Sequence, residues 1–176
     1  TSICPKSMSV TATFDSPHYH LKNQLMHCTF DHKGRLLSLY DLQAKRECIT
    51  PGQVGNQFML FDDAPIFWDA WDVELYHLEK YDYLDKECRV EIKTTGPLTA
   101  SLERTVKISA VSSIVQSITL DCLSTKVVFE TRVKWYESRK MLKVEFPVDI
   151  YTDQATYETQ YGLIHRPTAM NTSWDV

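Results

Sequence analysis

Four aspartates, Asp62, Asp63, Asp69 and Asp72, crowd into one short stretch and alternate there with Phe61, Phe67, Trp68 and Trp71. The mixture holds both ingredients of carbohydrate recognition. Aromatic faces stack on the apolar C–H face of a sugar, and carboxylates accept paired hydrogen bonds from vicinal hydroxyls. Glycosidases also work with two carboxyl groups, one as acid and one as base or nucleophile. A second reading fits equally: Trp68 and Trp71 anchor a packed corner, while the aspartates hold turns through bonds to nearby backbone. The residue types alone leave both open.

The last stretch, HRPTAMNTSWDV, has the same character on a smaller scale, with Arg166, Asn171, Trp174 and Asp175. Loops on a rigid β scaffold are where binding residues tend to sit. His18 and His20 form an H-x-H pair, and i and i+2 side chains of a strand share a face, so the pair can present two metal ligands. His27, Cys28 and His32 follow, yet no third and fourth ligand stand at metal-site spacing, and ordinary surface histidines are the expectation. No GxSxG or HExxH motif is present, nor a Ser or Cys with a positioned His.

Positioning such residues falls to strands, because period-two alternation dominates the chain and helical periodicity is hard to find. LMHCTFD (25–31) and LLSLYD (36–41) flank a turn ending in Gly34, a hairpin signal. NQFMLFDD (56–63), DVELYHLE (72–79), CRVEIKT (88–94), SLERTVKI (101–108) and SIVQSITLD (113–121) each alternate or nearly so. VVFETRVKWYESRKMLKVEFPVDI (127–150) predicts a strand, a turn at ESRK and a returning strand, with Pro147 marking an edge or terminus. ATYETQYGLIH (155–165) alternates again until Arg166-Pro167. About nine short strands joined by turns indicate an all-β, antiparallel β-sandwich.

Composition sets the outer limits. The 176 residues suit one domain or a piece of a larger one, with 43% hydrophobic and 24% charged residues. A net charge of -4 supplies no broad basic face, which excludes nucleic acid as a main partner. No apolar run approaches the roughly 20 residues of a membrane helix. Five cysteines (Cys4, Cys28, Cys48, Cys88, Cys122) lack CxxC spacing, which predicts reduced, mostly buried thiols in a cytosolic setting. Asn171-Thr172-Ser173 is a glycosylation sequon, of consequence only in a secreted chain. The first residues resemble neither a start nor a signal peptide, and NTSWDV stops as an alternating segment begins, so a fragment of a longer protein is expected.

GNQFMLFDDAPIFWDAWDVELYHLE (55–79) resembles a segment of the glycoside hydrolase family 38 α-mannosidases, in their cytosolic and vacuolar branch. HKGRLLSLYD, KWYESRKMLKVEFPV and ATYETQYGLIHRPTAMNTSWD resemble further family segments in the same order. The resemblance implies a retaining α-mannosidase whose zinc ion, aspartate nucleophile and aspartate acid/base lie in an N-terminal α/β domain, outside this chain. No catalytic residue, metal ligand or cofactor is therefore expected here. Residues 1–20 are expected as a leading segment or linker, and 21–176 as the first part of a galactose-mutarotase-like supersandwich, incomplete in this chain. The implied partners are the rest of the mannosidase chain and mannose-containing oligosaccharides, with no nucleic acid and no membrane, and open strand edges leave room for a homo-oligomer. The implied location is cytoplasmic, with vacuole or lysosome as the alternative. Trp68, Asp69, Trp71, Asp72, Arg166, Asn171 and Asp175 are the candidate substrate-binding residues. The competing classes are a non-catalytic carbohydrate-binding module and a mutarotase-like epimerase.

Overall fold

The computed structural model describes residues 8–69 and 71–169. The chain opens with an antiparallel meander of β1 (Thr11–Asp15), β2 (His18–Lys22), β3 (Met26–Phe30), β4 (Leu36–Asp41) and β5 (Arg46–Glu47), which pair in chain order. After β6 (Gln57–Asp62) and β7 (Tyr81–Tyr83) comes a second meander of β8 (Cys88–Thr95), β9 (Thr99–Lys107), β10 (Ser113–Asp121) and β11 (Val127–Lys134). β12 (Lys140–Glu145) joins β6 and β7 in a three-stranded sheet, while β13 (Gln154–Thr159) and β14 (Gly162–Pro167) pair with each other. All these pairings are antiparallel and no α-helix occurs among the described residues, so the protein is all-β, as the alternation predicts.

Period-two patterning explains how the layers meet. Ala100, Leu102, Arg104 and Val106 of β9 stand opposite Leu120, Ile118, Gln116 and Ile114 of β10, and all eight side chains are buried. The Leu102 end of this inner face packs under the first meander, against Leu21, Cys28, Phe30 and Leu36. Its Val106 end packs under the three-stranded sheet with Ile114, Phe58 and Leu84. One strand pair thus serves as the floor of two layers. Each buried Leu, Ile or Phe contributes about 1.5–3 kcal/mol.

Polar ties fix the layers laterally. Asn23 donates through Nδ2 to the carbonyls of Asp121 and Ser124, both at 2.8 Å, while its Oδ1 accepts from the amides of Leu25 and Met26. Tyr19 Oη donates to the Val90 carbonyl at 3.0 Å.

Several elements differ from the alternation pattern. Residues 127–150 do not form a hairpin: β11 pairs with β10, and β12 pairs with β6 in another sheet. The connection is tied to the β9–β10 turn, where Ser109 Oγ donates to Glu137 and the Tyr136 amide to Ser112 Oγ, and this carries the chain onward. The run at 72–79 yields a 3₁₀ turn, Leu75–Glu79, that buries only His77. Residues 155–165 break into the β13–β14 hairpin at Gln160-Tyr161, with Tyr161 at φ +65°. Residues 11–22 form β1 and β2, and Val10, Ala12 and Leu21 enter the core.

Candidate functional site

The aspartate- and tryptophan-rich stretch is the connection between β6 and the 3₁₀ turn. Its base is fixed at several points. Asp62 ends β6 and forms ion pairs with Lys140 of β12 and, at 3.0 Å, with Lys80. The hydrogen bonds from Lys140 and then Lys80 hold the Asp62 carboxyl below its usual pKa. The Asp63 amide donates to the Arg139 carbonyl at 3.0 Å, and Tyr76 Oη donates to the Ala64 carbonyl.

Between these anchors the chain makes a tight turn around Trp68, which sits at φ +61°. Its carbonyl accepts from the amides of Trp71, at 2.7 Å, and Asp72, at 3.0 Å. A left-handed backbone is unfavourable for a bulky residue and persists only where the surroundings fix it. The turn presents both rings outward: Trp68 is 75% and Trp71 81% exposed, with Ile66 and Phe67 beside them. Among the described residues, neither tryptophan therefore packs into the core of this chain. The aspartates divide. Asp72 Oδ1 accepts from the Val73 amide at 2.9 Å, a turn role, whereas Asp69 projects to Arg139, 3.5 Å away. A carboxylate and two indoles thus share one exposed loop, with the Arg139 guanidinium of the β11–β12 connection beside the carboxylate.

The remaining candidates are elsewhere. Arg166 lies on β14, opposite Ala155, on a hairpin separate from this loop's sheet. Asn171 and Asp175 lie outside the described residues.

Arg139, His77 and Lys143 belong to the site's surroundings and have no signature in the sequence. His77 is buried (3% exposed) and donates from Nδ1 to the Glu74 carbonyl at 2.8 Å, which leaves Nε2 to accept from Lys143 Nζ at 3.0 Å. Lys143 also lies 5.3 Å over the Phe61 ring, and burial pushes its pKa down. The signal that could have found this pair is the register of β12 on β6, which sets Lys143 opposite Met59.

Of the early histidines, His18 and His20 share β2, and His20 Nδ1 lies 3.2 Å from both His27 Nε2 and Thr29 Oγ1. Burial, then the neighbouring His20 and Lys22, pushes the His27 pKa down. Among the described residues no group of three or more His, Cys, Asp or Glu could hold a metal ion. These residues do not fit a zinc centre. No helix of the described residues is long and apolar enough to cross a membrane.

An all-β scaffold with this outward-facing loop has clear relatives. Residues 21–176 match the glycosyl hydrolases family 38 C-terminal domain, and the chain belongs to that family. It is 46% identical over 156 residues to alpha-mannosidase 2C1 of Homo sapiens, an alignment covering 88% of this chain and 15% of that protein. It is 41% identical over 128 residues to the alpha-mannosidase of Saccharomyces cerevisiae, covering 69% of this chain and 12% of the relative. The crystal structure of an alpha-mannosidase from Enterococcus faecalis V583 superposes with a TM-score of 0.72 at 14% identity, over 96% of this chain and 21% of that one, a likeness of fold. The chain thus spans a small part of the relatives it matches.

Proposed function

We propose that this chain is the β-domain portion of a retaining α-mannosidase and that its Trp68–Asp72 loop forms one wall of the mannoside cleft. The observation that carries the reading is the outward display of Trp68 and Trp71 beside Asp69 on a turn whose base is pinned at Asp62, Asp63 and Tyr76. An indole stacks on the C–H face of a pyranose, and a carboxylate accepts from paired hydroxyls, so the loop holds and orients the sugar. Membership of family 38 supports the substrate class, because the relatives are alpha-mannosidases.

In this reading Asp69 and Asp72 are neither nucleophile nor acid. The two carboxyl groups that a retaining glycosidase needs come from other segments of the enzyme, as does the zinc ion, which would supply electrostatic hold on sugar hydroxyls. Arg166, Asn171 and Asp175 remain part of the proposed wall. The four cysteines among the described residues, Cys28, Cys48, Cys88 and Cys122, are free thiols, which supports a reducing, cytoplasmic setting for the enzyme.

The test is steady-state kinetics of the intact protein on a chromogenic α-mannoside. Asp69→Asn and Asp72→Asn should lower kcat/KM without changing the melting temperature. Unchanged kinetics in both would overturn the cleft-wall assignment.

A further inference from the structure

The three-stranded sheet has one face on the core and another that faces a cleft of about 410 Å³, within the ~300–1,000 Å³ common for ligand sites. Register explains which side chains meet there. Gln57 of β6 stands opposite Glu145 of β12, and Tyr83 of β7 stands opposite Met59, one step along the same face. Arg35, with the Gly52-Gln53-Val54 segment and Pro147, closes the other side.

The polar groups are set for donors and acceptors together. Arg35 Nε donates to Asp31 at 2.7 Å, and its Nη1 lies 3.3 Å from Gln57 Oε1, so the guanidinium is held in place with Nη2 uncommitted among the described residues. Gln57 is itself buried and is fixed by donation from Nε2 to the Phe58 carbonyl at 3.0 Å. The Glu145 carboxylate makes no ion pair or hydrogen bond among the described residues, and Tyr83 offers a half-exposed ring. Charge decides between ligand classes. Of the charged residues that line the cleft, Arg35 is balanced by Glu145 and is already engaged by Asp31 and Asp85 behind it, so the cleft offers an anion no net positive charge. A fixed guanidinium donor, an open carboxylate acceptor and a phenol ring suit a neutral polyol.

From this we infer that the cleft between Arg35, Gln57, Tyr83 and Glu145 is a mannoside-binding site apart from the Trp68–Asp72 loop. The choice of mannoside rests on the α-mannosidase reading, while the demand for a neutral polyol rests on the cleft. Glu145 accepts from two sugar hydroxyls, Arg35 Nη2 donates to a third, and Tyr83 lies along the ring.

The test is photolabelling of the intact protein with an α-mannoside carrying a diazirine, followed by peptide mapping. Label should fall on peptides containing Tyr83 and Glu145, be displaced by methyl α-mannoside, and survive inorganic phosphate. Glu145→Ala, at an exposed position, should cut that label about tenfold, the effect of losing bonds to a charged group. Tyr83→Leu should reduce it as well. No label on these peptides, equal label in Glu145→Ala, or displacement by phosphate but not by methyl α-mannoside would each overturn the site. Failure of the cleft-wall reading is separately visible, since it is read from kcat/KM in the Asp69 and Asp72 variants.

Discussion

Asn56 and Gln116 exchange two amide hydrogen bonds: Asn56 Nδ2 donates to Gln116 Oε1 at 2.8 Å, and Gln116 Nε2 donates to Asn56 Oδ1 at 3.0 Å. Both side chains are buried. The pair joins the start of β6, which leads into the Trp68 loop, to the middle of β10 in the floor. Asn56 Nδ2 also donates to the Gly34 carbonyl, Gln116 Nε2 to Thr131 Oγ1, and the Asn56 carbonyl accepts from Arg104 Nη1 at 2.7 Å. Arg104 is fully buried, with its guanidinium 5.0 Å over the Phe58 ring, and its Nε and Nη2 have no hydrogen-bond partner among the described residues. Burial accordingly pushes its pKa down. The network holds the loop-bearing strand at the cost of burying a cation.

Asn56→Leu should therefore destabilise the protein strongly. It leaves the buried Gln116 Oε1 without its donor and places a γ-branched residue at φ +54°, which Asn tolerates far better. The expected loss is about 3 kcal/mol, or a melting temperature lower by roughly 6–12 °C. A thermal melt checks this, and an unchanged transition would show that the network is dispensable.

Gly34→Ala acts on the same network. Gly34 has φ +76°, and a Cβ there would meet Arg104 Cδ at 2.7 Å. Arg104 cannot swing aside while Nη1 is held by the Asn56 carbonyl. A loss of about 2 kcal/mol is expected, while Gly162→Ala, with nothing within 4 Å of its Cβ, should be close to neutral. Chemical denaturation of the two variants side by side reads the difference.

Glu47 gives a pH dependence. Its carboxylate accepts from Ser38 Oγ at 2.6 Å and from the amides of Leu39, Cys48 and Ile49 at 2.8, 2.9 and 3.0 Å. Partial burial pushes its pKa up, and the bonds from Ile49, Ser38, Leu39 and Cys48 together outweigh that and hold it below normal. The folded state then binds the proton less readily than the unfolded chain. The stabilisation is complete above the unfolded value of about 4.3 and is lost as pH falls through the lower folded value. The stability gap between wild type and Glu47→Gln should be widest near neutrality and shrink below about pH 4. A gap independent of pH would contradict the assignment.

Asp69 and Arg139 are both exposed, so their ion pair should add little to stability. Arg139→Ala should change unfolding free energy by less than about 1 kcal/mol, less still in high salt. Denaturant curves at two ionic strengths check this, and a large loss would show that the pair holds the loop.

The all-β architecture was legible because inward residues recur every second position, as in Ser113–Asp121, where expected and observed strands coincide. Pairing partners were not legible. Alternation in Val127–Lys134 and Lys140–Glu145 gives each strand a face but does not name its neighbour, and side-chain ties at Ser109 and Ser112 redirect the chain. Tyr161 at φ +65° hid a two-residue turn, since the residue type does not advertise a left-handed backbone. The Trp-Asp stretch was recognisable by composition, and its display was not: φ at Trp68 and the register that brings Arg139 near Asp69 exist only in the fold.

Whether the displayed indoles hold the mannoside is read most directly from kcat/KM of the intact protein carrying Trp68→Ala and Trp71→Ala together, on an α-mannoside. Both side chains are exposed, so the melting temperature should not move. kcat/KM should fall by about tenfold or more, the loss of ring stacking at the sugar. Wild-type kcat/KM in the double variant, at an unchanged melting temperature, would contradict it.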